Sequence, residues 1–507
     1  MVYTMTFPKF LRIAGLVVAA SSALGNKWVL GALRDYPVNY ADVMHIYMLT
    51  ALVAGGLLIL CSFIVKAKLQ IANVVLLIFS VVIIVMVDRA LLAYWGLPHW
   101  IPDTRLHYRH RPSTIRINIA HNARVQGKRI EINQHGFHDD EFSVEKEVGE
   151  VRILFLGDSV TMGWGVEHRD TYANQMETFL RRSGSRIQCI NAGVEGYAIH
   201  QELQMLYDCL PFAPDHVVLG FVMNDVVGPG ILDPRYGGSG LFWGLTQDDN
   251  TLLGYFSNET GLGRTLQKIR QKQHEQMDKQ EVDFSQSAFF TTSLSDSLFG
   301  DIWQKSLEQI LQIQELCLSH SIPFSLVVFP ETFQLFRPER QQPQRILHDF
   351  AQKHGVEIVD LTLTFEQLLS PIIKNRVSSD GPPVDLRTFQ DMADVMATVF
   401  FLDDVHLSAE GHRVVGITLS EMFGKMGLSP DPGVLMRILQ QAAAMKLEPL
   451  VVIPKNIEVV WRRGKALVEM GYEESACELY EAALERFVSN APEIKIKLEQ
   501  EGCVSVP

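Results

Sequence analysis

Four short segments of this chain hold residue types suited to acyl transfer through a serine. Gly157-Asp158-Ser159-Val160 puts a serine directly after the apolar run Ile153-Leu154-Phe155-Leu156. At such a strand-to-helix junction the hydroxyl is lifted from the sheet edge, and the N-terminus of the following helix favours a developing negative charge. Asn191-Ala192-Gly193-Val194-Glu195-Gly196-Tyr197 follows a second apolar run, where a glycine lets backbone approach a ligand and present an N–H. Asn224-Asp225 follows a third, where a side-chain amide can donate to an oxyanion. Phe401-Leu402-Asp403-Asp404-Val405-His406-Leu407-Ser408 places Asp403 three residues before His406. A carboxylate there can orient the imidazole and leave its other nitrogen to take the serine proton. Asp404 is also near the histidine and stands as an alternative orienting acid. One Gly-Asp-Ser tripeptide is a weak signal, but four segments in this order on successive strand ends point to catalysis.

The elements that must position them alternate. Strands are expected at 151–156, 187–191, 216–222, 324–329 and 356–360, with helices at 170–182, 201–210, 302–319 and 343–354. Short, fully apolar strands between amphipathic helices imply an α/β fold with a parallel sheet covered on both faces. Such sheets carry their sites on loops at the strand C-termini. Shorter alternating pieces at 113–119 and 129–133 suggest a small β element before the main domain.

With these motifs the chain resembles the SGNH/GDSL family of serine esterases and acylhydrolases over roughly Val151 to Phe423. Asn133-Gln134-His135-Gly136-Phe137 also resembles the lead-in of membrane-anchored bacterial members. The resemblance implies a flavodoxin-like three-layer α/β/α domain. It implies Ser159 as nucleophile, His406 as general base and Asp403 as its orienting acid. The Ser159 backbone, Gly196 and Asn224 would form the oxyanion hole. One departure is visible. The family's third motif reads Gly-x-Asn-Asp, and Val222-Met223-Asn224-Asp225 has Val in place of Gly, which implies altered packing or substrate shape.

Composition places the domain. Apolar residues make up 47% of the 507, charged residues only 20%, and the excess sits at the front. Residues 43–65 and 69–87 carry no formal charge, and each is about as long as a bilayer-spanning helix. Residues 13–33 form a weaker third run, interrupted by Lys27, that reads as a further span or a signal peptide. Lys9, Arg12, Lys66 and Lys68 on the cytoplasmic side would send everything after Val87 outside. A phosphatase fused after Asp140 is therefore expected to be active; an inactive fusion would reverse the topology.

Net charge of -13 argues against a general nucleic-acid binder. The six cysteines include no CxxC pair, so neither a zinc module nor a small disulfide scaffold is indicated. No GxxxxGK[ST] is present and no GxGxxG follows a strand, so no nucleotide or other cofactor is called for. His135, His138, Asp139 and Asp140 match no metal-ligand spacing and read as a polar turn.

Four regions result: a membrane anchor at 1–93, a juxtamembrane β element at 94–150, a hydrolase domain at 151–428, and a helical region at 429–507. The hydrolase domain holds an insertion at 228–298 whose middle, 265–280, reads as a solvated surface helix. In the helical region, Arg463 to Phe487 carries small residues and Leu467 and Tyr480 at the offsets of one tetratricopeptide repeat. It could cap the catalytic domain or, with flanking helices at 432–445 and 492–499, bind a protein partner.

The reading is a membrane-anchored serine esterase that removes a short ester-linked acyl group, with an envelope or extracellular glycan as candidate substrate. An O-acyltransferase with a sugar acceptor would use the same residues. A non-catalytic polysaccharide-binding or scaffolding protein is the alternative from another class.

Overall fold

The computed structural model describes residues 69–95, 99–103, 105–117, 127–182, 184–226, 260–263, 297–376, 385–425, 457–487 and 491–500, with a few isolated positions besides. The expected segments at 43–65 and 432–445 lie outside them, as do those at 13–33 and 265–280 apart from Leu16 and Thr265. The chain divides into two units, residues 1–111 with 239–279, and 112–238 with 280–507.

In the first unit, α1 (Leu69–Trp95) takes in the apolar run at 69–87 and continues beyond it. Val81, Ile84, Val85 and Val87 stand exposed on it. Among the described residues, no helix is long and apolar enough to cross a membrane. Strands β1 (Trp100–Asp103) and β2 (His107–His110) pair antiparallel, with Trp100 opposite His110. This hairpin was not expected. The charges of Arg105, Arg109 and Arg111 mask its alternation, and Asp103 closes the turn by accepting from the Arg105 and Leu106 N–H groups.

The second unit opens with β3 (Thr114–Ile117) and β4 (Arg129–Ile132), which pair antiparallel as the small β element. Then come β5 (Val151–Gly157), α2 (Ser159–Met162), α3 (Tyr172–Arg182), β6 (Ile187–Asn191), α4 (Ile199–Cys209) and β7 (His216–Phe221). Next are α5 (Ser297–Ser319), β8 (Phe324–Val328), α6 (Gln342–His354), β9 (Glu357–Asp360), α7 (Leu361–Arg376), α8 (Leu386–Ala397) and α9 (Ala409–Lys425). Strands β5 to β9 form one parallel sheet in the order β6-β5-β7-β8-β9. The parallel α/β fold expected from the apolar runs is present.

Successive side chains of a strand face opposite sides of its sheet. Ile153 and Phe155 of β5 join Val218 of β7 and Val327 of β8 in one core with Tyr172 and Met176 of α3, Phe365 of α7 and Val415 of α9. Helices α4 and α5 pack on each other and on β5 and β8. All six residues of β7 are buried, as a central strand covered on both faces requires.

One expectation about local structure is corrected. The helix after Ser159 is a single turn, ended at Gly163 with φ of 84°, so its dipole is small and the helix-dipole argument loses most of its force. The polar turn at 135–140 is present, and two of its side chains point inward. His138 and Asp139 are buried at 0% and 6% exposure. His138 Nδ1 donates to the Met162 carbonyl at 2.9 Å, and Asp139 accepts from the Asn191 N–H and the Asn174 amide. Burial pushes the Asp139 carboxyl up to about 7.

The C-terminal helices α10 (Ile457–Glu469), α11 (Glu473–Arg486) and α12 (Ala491–Gln500) follow. Helices α10 and α11 approach closely at Gly464, where a Cβ would lie 2.1 Å from the Tyr480 hydroxyl. Val460, Leu467 and Tyr480 belong to the same core as the α/β domain, and α10 packs on α8. Arg462 of α10 pairs with Asp391 of α8 at 3.0 Å. These helices therefore cap the hydrolase domain directly.

Candidate active site

Gly157 ends β5 at φ of 153°, and a Cβ there would meet Thr161 Oγ1 at 2.1 Å and the Gly220 carbonyl at 2.8 Å. Only glycine lets the chain leave the sheet here, and the next two residues are thrown to the strand's C-terminal edge. Asp158 caps the one-turn helix by accepting from the Val160 N–H at 2.8 Å. Ser159 follows it, largely buried at 9% exposure.

Ser159 Oγ lies 2.9 Å from His406 Nε2, and His406 Nδ1 lies 2.8 Å from Asp403 Oδ2. The other oxygen of Asp403 accepts the backbone N–H of His406 at 2.7 Å and of Val405 at 2.9 Å. Asp403 thus fixes both ring and loop. The donor at Nδ1 leaves Nε2 unprotonated and aimed at the serine. Asp404 faces the other way. Its side chain accepts from the Thr332 hydroxyl at 2.9 Å and its carbonyl from the Thr332 N–H at 2.8 Å. The alternative open in the sequence is closed geometrically, because only Asp403 reaches the imidazole.

Burial alone would raise the Asp403 carboxyl, but His406 and two backbone N–H groups hold it at about 2. Burial pulls His406 down, and Asp403, with smaller help from Asp158 and Glu195, carries it above its ordinary 6.5. A general base works only when neutral. With His406 as the base, activity is expected to fall as pH drops through this raised value. Asp403→Asn removes the counter-charge, so the acid limb of kcat/KM should move to lower pH while the plateau falls. A limb that stays in place or moves up would defeat this account.

Asn224 Nδ2 donates to Asp158 Oδ2 at 3.0 Å, which leaves its second hydrogen free. This contact with Asp158 sets which way the amide points. Gly196 sits after Val194-Glu195 at φ of 74°. Asn191, in the same segment, donates from Nδ2 to the Thr161 carbonyl at 2.9 Å and accepts the Gly193 N–H at 3.1 Å. The segment carrying Gly196 is thus tied to the turn carrying Ser159. Val222, the departure from the family motif, is 1% exposed within the core, and its N–H donates to Asp225 Oδ2 at 2.6 Å.

Sequence reasoning assigned no role to Asp158, His138 or Asp139. Asp158 could have been flagged as an acid adjoining a buried strand. The other two connect to their partners across 24 and 52 positions, and no local pattern announces that. Among the described residues no cluster of His, Cys, Asp and Glu is arranged to hold a metal.

The model of the GDSL-like lipase/acylhydrolase family matches residues 155–414, just over half of the chain. The chain belongs to that family. It is an ester-hydrolysing enzyme of α/β fold, and the non-catalytic alternative is set aside. No curated protein matches. Among solved structures, the chain is similar to an acetyl xylan esterase at 17% identity and TM-score 0.30, over 54% of this chain and 99% of that one. It is also similar to a psychrotrophic esterase from Pseudoalteromonas sp., at 10% identity and TM-score 0.28 over 54% and 97% of the two chains. A lipolytic G-D-S-L protein from Veillonella parvula gives 13%, 0.29, 54% and 98%. At these scores the structural likeness carries no argument, and membership of the GDSL-like family rests on the sequence match.

Proposed function

We propose that the protein is a membrane-anchored GDSL-type esterase that removes short acyl groups from an extracytoplasmic glycan through an acyl-serine intermediate. The observation that carries the chemistry is the unbroken hydrogen-bond chain Ser159–His406–Asp403. Ser159 Oγ attacks the ester carbonyl as His406 takes its proton. His406 then returns the proton to the leaving alcohol, and a water activated by the same imidazole releases the acid. The Ser159 and Gly196 N–H groups and the Asn224 amide serve as oxyanion donors.

Two features support the placement. The uncharged run at 43–65 has the length and composition of a bilayer span, and α1 presents exposed Val81, Ile84, Val85 and Val87. Cys477 is disulfide-bonded, as befits an oxidising compartment. The helices α10 to α12 serve as a cap, whose outer face is where a protein partner would dock.

The test is hydrolysis of p-nitrophenyl acetate, butyrate and palmitate, and of acetylated xylan, with and without a free sugar acceptor. Acetyl esters should be turned over fastest, with acetate released into water. A preference for palmitate defeats the short-acyl reading, and acetyl transfer to the sugar in place of hydrolysis favours the acyltransferase.

A further inference from the structure

One aromatic residue is fastened to both halves of the catalytic apparatus. Trp164 follows the Ser159 turn directly, and its N–H donates to the Ser159 carbonyl at 2.8 Å. It is set between Gly163 and Gly165, both in the left-handed region at φ of 84° and 86°. A Cβ at Gly163 would lie 2.5 Å from the Thr171 methyl, so this turn accepts little but glycine. The indole lies against the base, with ring centroids of Trp164 and His406 4.5 Å apart and the planes 40° from each other. Val166 and Leu402, 2% and 4% exposed, support it from behind, and the Leu402 N–H donates to the His406 carbonyl at 2.7 Å. Trp164 itself is only half-buried. Among the described residues, none accepts its indole N–H.

The reaction says which part of the substrate meets this ring. In acylation the Ser159 Oγ–carbon bond forms and the carbon–alcohol oxygen bond breaks, while the serine proton passes through His406 Nε2 to that alcohol oxygen. The oxygen must come within hydrogen-bond reach of Nε2. The alcohol half of the ester therefore runs alongside the imidazole, and a ring tilted against the imidazole borders that half. A partly exposed indole with an unused N–H offers an apolar face and one polar contact. That combination suits a pyranose, whose axial C–H groups make an apolar face rimmed by hydroxyls.

We infer that Trp164 is the platform for the sugar ring on the leaving-group side of the ester. This rests on the glycan-ester reading given above. The acetyl-enzyme is the same whatever alcohol has left, so the ratio of kcat/KM between two acetate esters reports only events up to acylation.

The experiment compares glucose pentaacetate with ethyl acetate in the full-length protein and in Trp164→Leu and Trp164→Phe, with circular dichroism on each. The ratio of kcat/KM for the sugar ester over ethyl acetate should fall roughly 10-fold or more in Trp164→Leu, the scale of a lost aromatic contact. Trp164→Phe, which keeps a ring, should recover most of it. Equal losses on both esters would mean the ring only supports His406, and would overturn the inference while leaving the glycan reading standing. A wild-type enzyme that hydrolyses ethyl acetate and ignores the sugar ester would overturn the glycan reading, and the inference with it.

Discussion

Replacing either Ser159 or His406 by alanine should lower kcat on p-nitrophenyl acetate by on the order of 10⁴- to 10⁶-fold, and replacing both should be little worse than either alone. The reason is the shared proton. Ser159 Oγ lies 2.9 Å from His406 Nε2 and 3.3 Å from Asp158, and it has one hydrogen to give. Without the imidazole that hydrogen has no competent base, and without the hydroxyl the imidazole has nothing to activate. Asp403→Ala should leave more activity, because Asp403 orients and stabilises the imidazole without taking its proton. Asp404→Ala should cost far less than Asp403→Ala, since Asp404 touches Thr332 and not the ring. Asn224→Ala removes one oxyanion donor and should lower kcat by on the order of 100- to 1000-fold. Circular dichroism separates lost chemistry from lost fold. A folded Ser159→Ala protein with wild-type turnover would remove the basis of the whole assignment.

A chain ending at Leu428 should fail to fold cooperatively. Helices α10 to α12, with Met470 in the turn after α10, place Val460, Leu467, Met470, Leu479, Tyr480, Ile494 and Leu498 in the core that also holds Met392, Val395 and Met396 of α8 and Phe400 and Phe401 beside the catalytic loop. Fully burying one large apolar side chain is worth about 1.5–3 kcal/mol, as an upper estimate. Stripping several at once removes on the order of 10 kcal/mol, as much as a typical domain's entire stability. Asp391, 8% exposed, would also lose Arg462 and be left as a poorly compensated buried acid. In the intact chain Leu467→Ala should lower stability by about 2–5 kcal/mol. Thermal melts followed by near-ultraviolet circular dichroism check both. A truncated protein that melts sharply at the full-length temperature would show that the cap is separable.

The five strands of the sheet were legible because each is a short apolar run closed by turn residues, and such runs need both faces covered. Helices α7 and α8 were not read. Helix α7 begins at Leu361 with no loop after β9, and Pro371 lies inside it, so neither its start nor its interior carries an ordinary signal. The helix after Ser159 was credited with a dipole that Gly163 cuts short. At the site, spacing narrowed the orienting acid to two neighbouring aspartates, both close enough in sequence to reach the ring. What separates them is Thr332, some seventy positions away, and that choice is made by tertiary packing alone. The support from His138, Asp139 and Asp158 was hidden for the same reason, since a buried polar residue reveals its purpose only through its partner.

Ser159 and His406, proposed as nucleophile and base, are 247 positions apart in the chain. During synthesis at roughly 5–20 residues per second, Ser159 therefore waits on the order of 10 to 50 s for His406 to be made. Throughout that interval the hydroxyl has no imidazole, and the nascent protein cannot attack an ester. The loop bearing His406 then shares its core with helices made later still. Hydrolytic competence thus waits on chain made well after Ser159, and a nascent copy that still lacks His406 is inert towards the acyl esters of the cell that makes it.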